Sequence, residues 1–457
     1  MERPKRVLVV GMARSGVAAA SLLAGQGVRV RLSDAKGREQ LKEALAPLEN
    51  LEGVEYRLGE PVEGLLDDVD QVVISPGVPI GHPVVDAARA RGIELIGELE
   101  LAFRYARGRL IAITGTNGKT TTTTLLGEIF KNAGKLTFVV GNIGLPYASV
   151  AAGTRDTDAV VCEVSSFQME TVRTFHPSIA AILNITEDHL NRHGTMENYI
   201  ALKARIFENQ VQDDCLVLNY DDPALVPLAE RAPGRVAWFS RTQVPPVGAF
   251  ILGGAIVYGS ADAHRCVCPA DEVFIPGPHN LENALAAAAI AIEAGVPVPV
   301  IRHTLRTFKG VEHRCEFVRT LEGISYINDS KGTNVDSTRR AIAAMKAPTV
   351  LIAGGSSKQV DMLPLARAIA EGPIAHVVLV GATADEIARA LDQVGYTSYA
   401  RAGMDFERAV NMARSLAVEG GNVLLSPACA SFDLFRDYEH RGAEFKRIVG
   451  ALAPRTD

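Results

Sequence analysis

The sequence predicts an α/β protein of three units, each organised on a mostly parallel sheet. Three observations carry this. The chain has 457 residues, and at about 150 residues per domain that length suits about three domains. Short apolar runs alternate with helical stretches along most of the chain, the pattern of repeated β-α-β units. Hydrophobic residues make up 47% of the chain but aromatic residues only 6%. The apolar content therefore lies in Ala, Val, Leu and Ile, as in strands buried on both faces.

The first unit is expected over residues 1–97. Val7–Val10 reads as a strand that passes through a Gly-containing turn into a helix over Val17–Ala24. Lys5 and Arg6 before that run superficially resemble a secretory leader, but Gly11 and Arg14 interrupt it too early, and a first strand is expected. Val28–Leu32, Gln71–Ile74 and Ile93–Ile96 read as further strands, the second of these closed by Ser75-Pro76-Gly77. The central unit is expected over 98–309. Its strands are Leu110–Ile113, Ala159–Val164 and Ile179–Asn184, with an antiparallel excursion over Ala249–Tyr258. Helices are expected from near Lys119, over Met196–Asn209, and over the Ala-rich His279–Ala294. After a linker at Phe308–Glu312, the third unit, 310–457, opens with a hairpin of Glu316–Arg319 and Ile324–Ile327 around Glu322-Gly323. Strands at Val350–Ala353, His376–Val380 and Asn422–Leu425 follow.

Charge and cysteine content narrow the function. The net charge is −6 and the pI about 6.0, and no Lys/Arg stripe runs along the chain, so no nucleic-acid partner is expected. No apolar run approaches the roughly 18 residues of a membrane span. The six cysteines, Cys162, Cys215, Cys266, Cys268, Cys315 and Cys429, are irregularly spaced. Free thiols in a reducing cytoplasm are the expectation.

The sharpest motif is Thr114-Gly115-Thr116-Asn117-Gly118-Lys119-Thr120, with Thr121 beyond it, set between a strand and a helix. Glycines let backbone N–H groups close around phosphate oxygens, and the helix start adds positive potential. Lys119 would reach the β- and γ-phosphates of ATP, and Thr120 would offer its hydroxyl to Mg²⁺. The strict phosphate-loop pattern is not met, because Ile113 stands where its first Gly belongs. Glu163 closes an apolar strand, a position that suits a Mg²⁺ ligand. Alone, it reads more readily as a surface carboxylate. His189, after the strand that reaches Asn184, reads alone as metal ligand, substrate contact or structural histidine; Lys203 reads as a solvated lysine on a helix face. In the first unit, Gly11-Met12-Ala13-Arg14-Ser15-Gly16 with Asp34 further on is a degraded dinucleotide fingerprint, with Ala13 in place of the middle Gly.

Taken together and in order, Thr-Gly-Thr-Asn-Gly-Lys-Thr, Gly141-Asn142-Ile143-Gly144, Glu163-Val-Ser-Ser-Phe-Gln168, Thr186-Glu-Asp-His-Leu190 and Tyr199-Ile-Ala-Leu-Lys203 resemble the Mur ligases. These are three-domain amide ligases that build the stem peptide of peptidoglycan. The resemblance implies a Rossmann-like N-terminal domain for the UDP-sugar, a central phosphate-loop ATPase-like domain, and a Rossmann-like C-terminal domain that caps ATP and takes the incoming amino acid. It implies that Lys119 and Thr120 hold phosphate and Mg²⁺, and that Glu163 and His189 help bind a second Mg²⁺. It further implies that Lys203 is carbamylated by CO₂ into an anionic ligand. Ser15, Asp34, Lys36, Ser75, Gly77, Asn142 and His189 are implied contacts of the UDP-sugar. Arg314, Asp329 and Lys331 would lie near ATP.

Thr333, Lys358, Ser431 and Phe432 would meet the amino acid. The segment Ser426-Pro-Ala-Cys-Ala-Ser-Phe-Asp433 and the loop Gly354-Gly-Ser-Ser-Lys358 resemble the branch that adds D-glutamate, and the Asp-Asn-Pro-Arg motif linked to diaminopimelate or lysine is missing. The implied reaction joins D-glutamate to UDP-N-acetylmuramoyl-L-alanine in the cytoplasm, on a monomer with no membrane partner. Three other readings stay open on the residues: a folylpolyglutamate synthetase or another Mur ligase, a nicotinamide-dependent oxidoreductase using Gly11–Gly16, and a regulatory phosphate-loop switch.

Overall fold

The computed structural model describes residues 4–188, 190–356 and 360–454. The chain divides into two compact units, one of residues 1–274 and 278–308, the other of residues 275–277 and 309–457.

The larger unit holds two sheets. The first is wholly parallel: β1 (Arg6–Val10), β2 (Arg29–Asp34), β3 (Val54–Leu58), β4 (Gln71–Ile74) and β5 (Glu94–Gly97), in the order β3-β2-β1-β4-β5. The chain runs outward from β1 in both directions, so the loop after β1 lies at a topological switch point, where open α/β sheets bind ligands. The helix Arg14–Gly25 packs its small buried face, Ala18, Ala19, Ala20, Leu22 and Leu23, inward. It starts three residues earlier than its apolar pattern suggests, because Arg14 and Ser15 are polar residues of its first turn.

The second sheet has nine strands: β6 (Arg109–Thr114), β7 (Thr137–Gly141), β8 (Ala159–Glu163), β9 (Ile179–Ile182), β10 (Cys215–Asn219), β11 (Arg235–Ser240), β12 (Gly248–Leu252), β13 (Ala255–Gly259) and β14 (His264–Pro269). Their order is β14-β13-β12-β11-β10-β9-β6-β8-β7. Pairing is parallel from β7 across to β12, and antiparallel only for β12-β13-β14. One continuous core joins residues of both sheets, from Val7 and Leu32 through Leu101, Ala102 and Phe175 to Leu218 and Trp238. That shared apolar burial makes the two sheets one compact unit. The helix from Met196 ends at Ala204 and tightens into a 3₁₀ turn, Arg205–Phe207, short of the expected Asn209.

The smaller unit carries β15 (Glu316–Leu321), β16 (Ile324–Asn328), β17 (Thr349–Ala353), β18 (Ile374–Val380), β19 (Tyr399–Gly403) and β20 (Asn422–Leu425), in the order β15-β16-β20-β17-β18-β19. Only the β15–β16 hairpin is antiparallel. Its two turn residues, Glu322 (φ 54°) and Gly323 (φ 70°), both take positive φ, the conformation that suits a two-residue hairpin. Separate apolar clusters cover the sheet, one around Tyr326, Ile352, Val410 and Phe445, the other around Leu351, Ile369, Leu379 and Ile387. Among the described residues no helix is long and apolar enough to cross a membrane, and all six cysteines are free.

Candidate active site

In each sheet the predicted residues gather at the carboxyl ends of parallel strands. In the nine-stranded sheet, Ile113 of β6 pairs with Glu163 of β8, Thr114 with Ile182 of β9, and Gly141 of β7 with Glu163. The loop Gly115–Gly118, Glu163, Asn142 and Asn184 therefore emerge along one edge. Gly118 (φ +81°) begins the helix Lys119–Asn132, and a Cβ there would collide with the Asn283 amide. Gly115 (φ +151°) passes so close to Leu183 that an added Cβ would stand 3.0 Å from the leucine Cβ.

Asn184 brackets the loop. Its carbonyl accepts from the Thr116 N–H at 2.9 Å, its Oδ1 from the Asn117 N–H at 2.8 Å, and its Nδ2 donates to the Asn117 carbonyl at 3.1 Å. The first N–H groups of the helix after Gly118 have no carbonyl partner within it, which makes this end an anion site. Thr120 and Thr121 lie in that first turn, both buried.

Two lysines converge on the loop. Lys119 Nζ donates to the carbonyls of Gly115 and Thr116, each at 2.8 Å. Lys203 Nζ donates to the same Gly115 carbonyl at 2.8 Å. The reading of Lys203 as a solvated lysine is overturned, since its residue is 1% exposed. It lies on the inward face of the helix Met196–Ala204, over the ring of Tyr199 at 4.5 Å. Burial, reinforced by the Lys119 charge and opposed by Asp188, pulls its ammonium down to about 7.

Glu163 is likewise buried, not a surface carboxylate. Its Oε1 accepts from Asn142 Nδ2 at 2.8 Å, and its Oε2 has no partner among the described residues. An orphaned buried carboxylate oxygen beside a phosphate-type loop fits a divalent cation. His189 and Lys358 lie outside the described residues.

In the five-stranded sheet, Gly11 (φ +90°) leaves β1 so near Ser75 that an added Cβ would stand 3.1 Å from the serine Cβ. Ser75 Oγ donates to the Gly11 carbonyl at 2.7 Å. Asp34 Oδ2 accepts from the Met12 N–H at 2.7 Å and Oδ1 from the Lys36 N–H at 2.9 Å, so this carboxylate shapes two loops. The helix Arg14–Gly25 has no side-chain cap at its start, where Ser15 stands half-buried. Gly77 and the Lys36 side chain are exposed. Arg14 Nη2 donates to the Gly144 carbonyl at 2.8 Å, tying this loop to the Asn142 loop of the neighbouring sheet.

In the smaller unit, Asp329 follows β16 and is buried. Ser426 Oγ donates to its Oδ2 at 2.6 Å and the Cys315 N–H to its Oδ1 at 3.2 Å. Burial raises its carboxyl to about 6 against these hydrogen bonds and the charge of Arg314. Lys331 Nζ lies 5.6 Å from the Tyr438 ring centre. The Thr333 N–H donates to the Lys331 carbonyl at 2.8 Å. Asn334 caps the helix Val335–Ala344 by accepting from the Ser337 N–H at 2.8 Å, as its residue type suggests. After β20, Ser431 is buried while Phe432 stands 74% exposed. One acidic group near Arg314, formed by Glu312, His313 and Glu316, has metal-like spacing, but Lys446 Nζ already binds both carboxylates.

Fold and site define an α/β protein whose strand–loop–helix turn is built to receive a phosphate group. Family models match over most of the chain: the Mur ligase MurD-like N-terminal domain over residues 5–97, the Mur ligase middle domain over 113–291, and the Mur ligase glutamate ligase domain over 313–429. The chain belongs to the Mur ligase family, whose members are ATP-dependent amide ligases that need Mg²⁺. It is 45% identical over 98% of its length, and 99% of the relative's, to a UDP-N-acetylmuramoylalanine--D-glutamate ligase of Alkaliphilus oremlandii. It is 48% identical, over 98% of each chain, to the ligase of that name from Pelotomaculum thermopropionicum. Among solved structures it superimposes on the UDP-N-acetylmuramate-alanine ligase of Thermotoga maritima with a TM-score of 0.58 at 19% identity, covering 98% of this chain and all of the other. A D-alanyl-D-alanyl-adding ligase of Acinetobacter baumannii gives 0.57 at 18%, covering 97% and 93%.

Sequence reasoning missed Asn184, Asn283, Tyr199 and Arg441. Asn283 carried a signal, being the buried one of two asparagines in an alanine-rich, mostly apolar helix. Tyr199, whose hydroxyl lies 3.3 Å from Thr116 Oγ1, shares the helix of Lys203 one turn earlier. Arg441 carried none.

Proposed function

We propose that this chain forms the amide bond between the alanyl carboxylate of UDP-N-acetylmuramoyl-L-alanine and the amine of D-glutamate, at the expense of ATP, in peptidoglycan precursor synthesis. The observation that carries it is near-full-length identity of 45–48% to relatives named for that ligation. The carboxylate oxygen attacks the γ-phosphorus of ATP and the bond to ADP breaks, giving an acyl phosphate. The D-glutamate nitrogen then attacks the acyl carbon, phosphate leaves, and the amine gives up its proton.

Each step brings anions together. Lys119 and the first N–H groups of its helix neutralise the phosphates, with Gly115, Thr116, Asn117, Gly118 and Thr121 forming the rest of the cradle. Thr120 and the orphaned Glu163 oxygen are the donors suited to Mg²⁺, which supplies charge neutralisation on the phosphates. His189 belongs to the same ligand set, in two metal sites. Lys203 fits carbamylation: an amine whose pKa is about 7 is substantially neutral at working pH. It can add CO₂, releasing a proton and leaving an anion at the Gly115 end of the phosphate loop.

The first sheet, residues 1–97, takes the UDP-sugar at Ser15, Asp34, Lys36, Ser75 and Gly77, joined by Asn142 and His189. Residues 98–309 hold ATP. Residues 310–457 supply Arg314, Asp329 and Lys331 to ATP, and Thr333, Lys358, Ser431 and Phe432 to D-glutamate. The enzyme works as a cytoplasmic monomer. The test is isotopic: with ¹⁸O in the alanyl carboxylate, one ¹⁸O is expected in the released phosphate for each amide formed with D-glutamate. Unlabelled phosphate would rule out the acyl phosphate.

A further inference from the structure

Arg441, near the start of the helix Tyr438–Ala451, is 2% exposed. Its guanidinium is used by oxygens of two distant segments. Nε donates to Ser330 Oγ at 3.0 Å, Nη2 to the carbonyls of Ser330 at 2.9 Å and Cys429 at 3.1 Å, and Nη1 to the carbonyl of Ala430 at 3.3 Å. A third segment meets it at the same atom, because the Ser356 N–H donates to the Ala430 carbonyl at 2.9 Å. Gly355 (φ +149°) runs so close that an added Cβ would strike that carbonyl oxygen and stand 3.2 Å from Nη1. No carboxylate lies within ion-pair distance of Arg441 among the described residues. Asp433 and Asp329 act on its charge only from beyond contact distance, and a guanidinium buried with no direct ion pair is a poor device for stability alone, since apolar residues of similar size usually serve better.

The three segments end β16, β17 and β20, and they carry the residues assigned above to ATP and the amino acid. We propose that Arg441 is the positioning residue that locks these three strand ends into one arrangement and thereby sets the affinity for the incoming amino acid. This rests on the reading of Thr333, Ser431 and Phe432 as amino-acid contacts. The carbonyl of Ala430 and the N–H of Ser431 belong to one peptide unit. Fixing that carbonyl by two donors fixes the plane of the Ser431 N–H and strengthens it as a donor. A lysine keeps the charge but not the fork that reaches two segments at once.

The test uses Arg441→Lys and Ser330→Ala in the full chain, with KM determined separately for D-glutamate and for UDP-N-acetylmuramoyl-L-alanine, alongside Tm. In Arg441→Lys the KM for D-glutamate is expected to rise about tenfold or more, the loss of at least one charge-assisted hydrogen bond, while the KM for the UDP-sugar stays unchanged. Ser330→Ala, which removes the oxygen bonded to Nε, is expected to move the same constant by less. A residue that serves folding alone lowers Tm and the active fraction but leaves the KM of the surviving enzyme unchanged, and that outcome in Arg441→Lys overturns the proposal. If that variant does not fold, an unchanged D-glutamate KM in Ser330→Ala does so instead. Wild-type enzyme that ignores D-glutamate and accepts another amino acid would defeat the substrate assignment only, and the locking role is then read on the KM of that amino acid.

Discussion

Glu98 follows β5, and its chemistry is set by burial. It is 1% exposed, its Oε1 accepts from the Ala148 N–H at 2.6 Å, and its Oε2 has no partner among the described residues. Burial lifts its carboxyl from 4.5 to about 7. Between those two values the unfolded chain loses a proton that the folded chain keeps, so stability falls as pH rises through the window and levels off above it. Glu98→Gln keeps an acceptor for Ala148 and cannot ionise. Its Tm at pH 8 is expected to exceed that of the wild type by roughly 5 °C, with the gap closing toward pH 4.5 in thermal melts; a gap independent of pH would contradict the assignment. Lys119→Ala should lower turnover by about 10²–10³-fold or more, the usual cost of losing one electrostatic stabiliser; normal turnover would overturn the ATP-site assignment. Enzyme equilibrated with ¹³C-bicarbonate should show a carbamate carbon signal that Lys203→Gln lacks; equal signals would exclude that lysine. At this scale the sequence spoke through residue type and order. It could not show that Lys203 is buried, because its helix has almost no amphipathic pattern, nor that Asp34 uses both oxygens on backbone N–H groups.

Strands and helices matter here chiefly for where they stop. Glycine loops, carboxylates and amides line up because neighbouring parallel strands end together, and β6, β8 and β9 set the phosphate loop between Glu163 and Asn184. Through its side chain Asn184 holds both the N–H and the carbonyl of Asn117, contacts that an alanine would lose while keeping the backbone bond to Thr116. Asn184→Ala should therefore raise the KM for ATP by about tenfold while leaving that for D-glutamate unchanged; a change confined to D-glutamate would contradict this. The buried strands β1, β4, β6, β8 and β20 were legible as apolar runs closed by Gly, Pro or a polar residue. The edge strands β3, β14 and β19 were not, since Val54–Leu58, His264–Pro269 and Tyr399–Gly403 are half polar and partly exposed. Nor were β7, β10 and β11, whose short apolar runs read equally as helix or strand.

The whole chain combines three sheets in two compact units. Sequence length and β-α-β alternation pointed to three sheets. They could not show that the first two share one core, because that depends on which faces of helices such as Glu98–Tyr105 bury against both. The ligation asks this scaffold to hold three anionic substrates in line, which is an entropic task as much as an electrostatic one. The most direct test of that account is phosphate release from ATP and Mg²⁺ in the presence of UDP-N-acetylmuramoyl-L-alanine, with D-glutamate, L-glutamate, glycine or meso-diaminopimelate supplied separately and each product weighed by mass spectrometry. Phosphate and a new amide are expected with D-glutamate alone. Turnover with a different amino acid, or phosphate release that no amino acid stimulates, would contradict it.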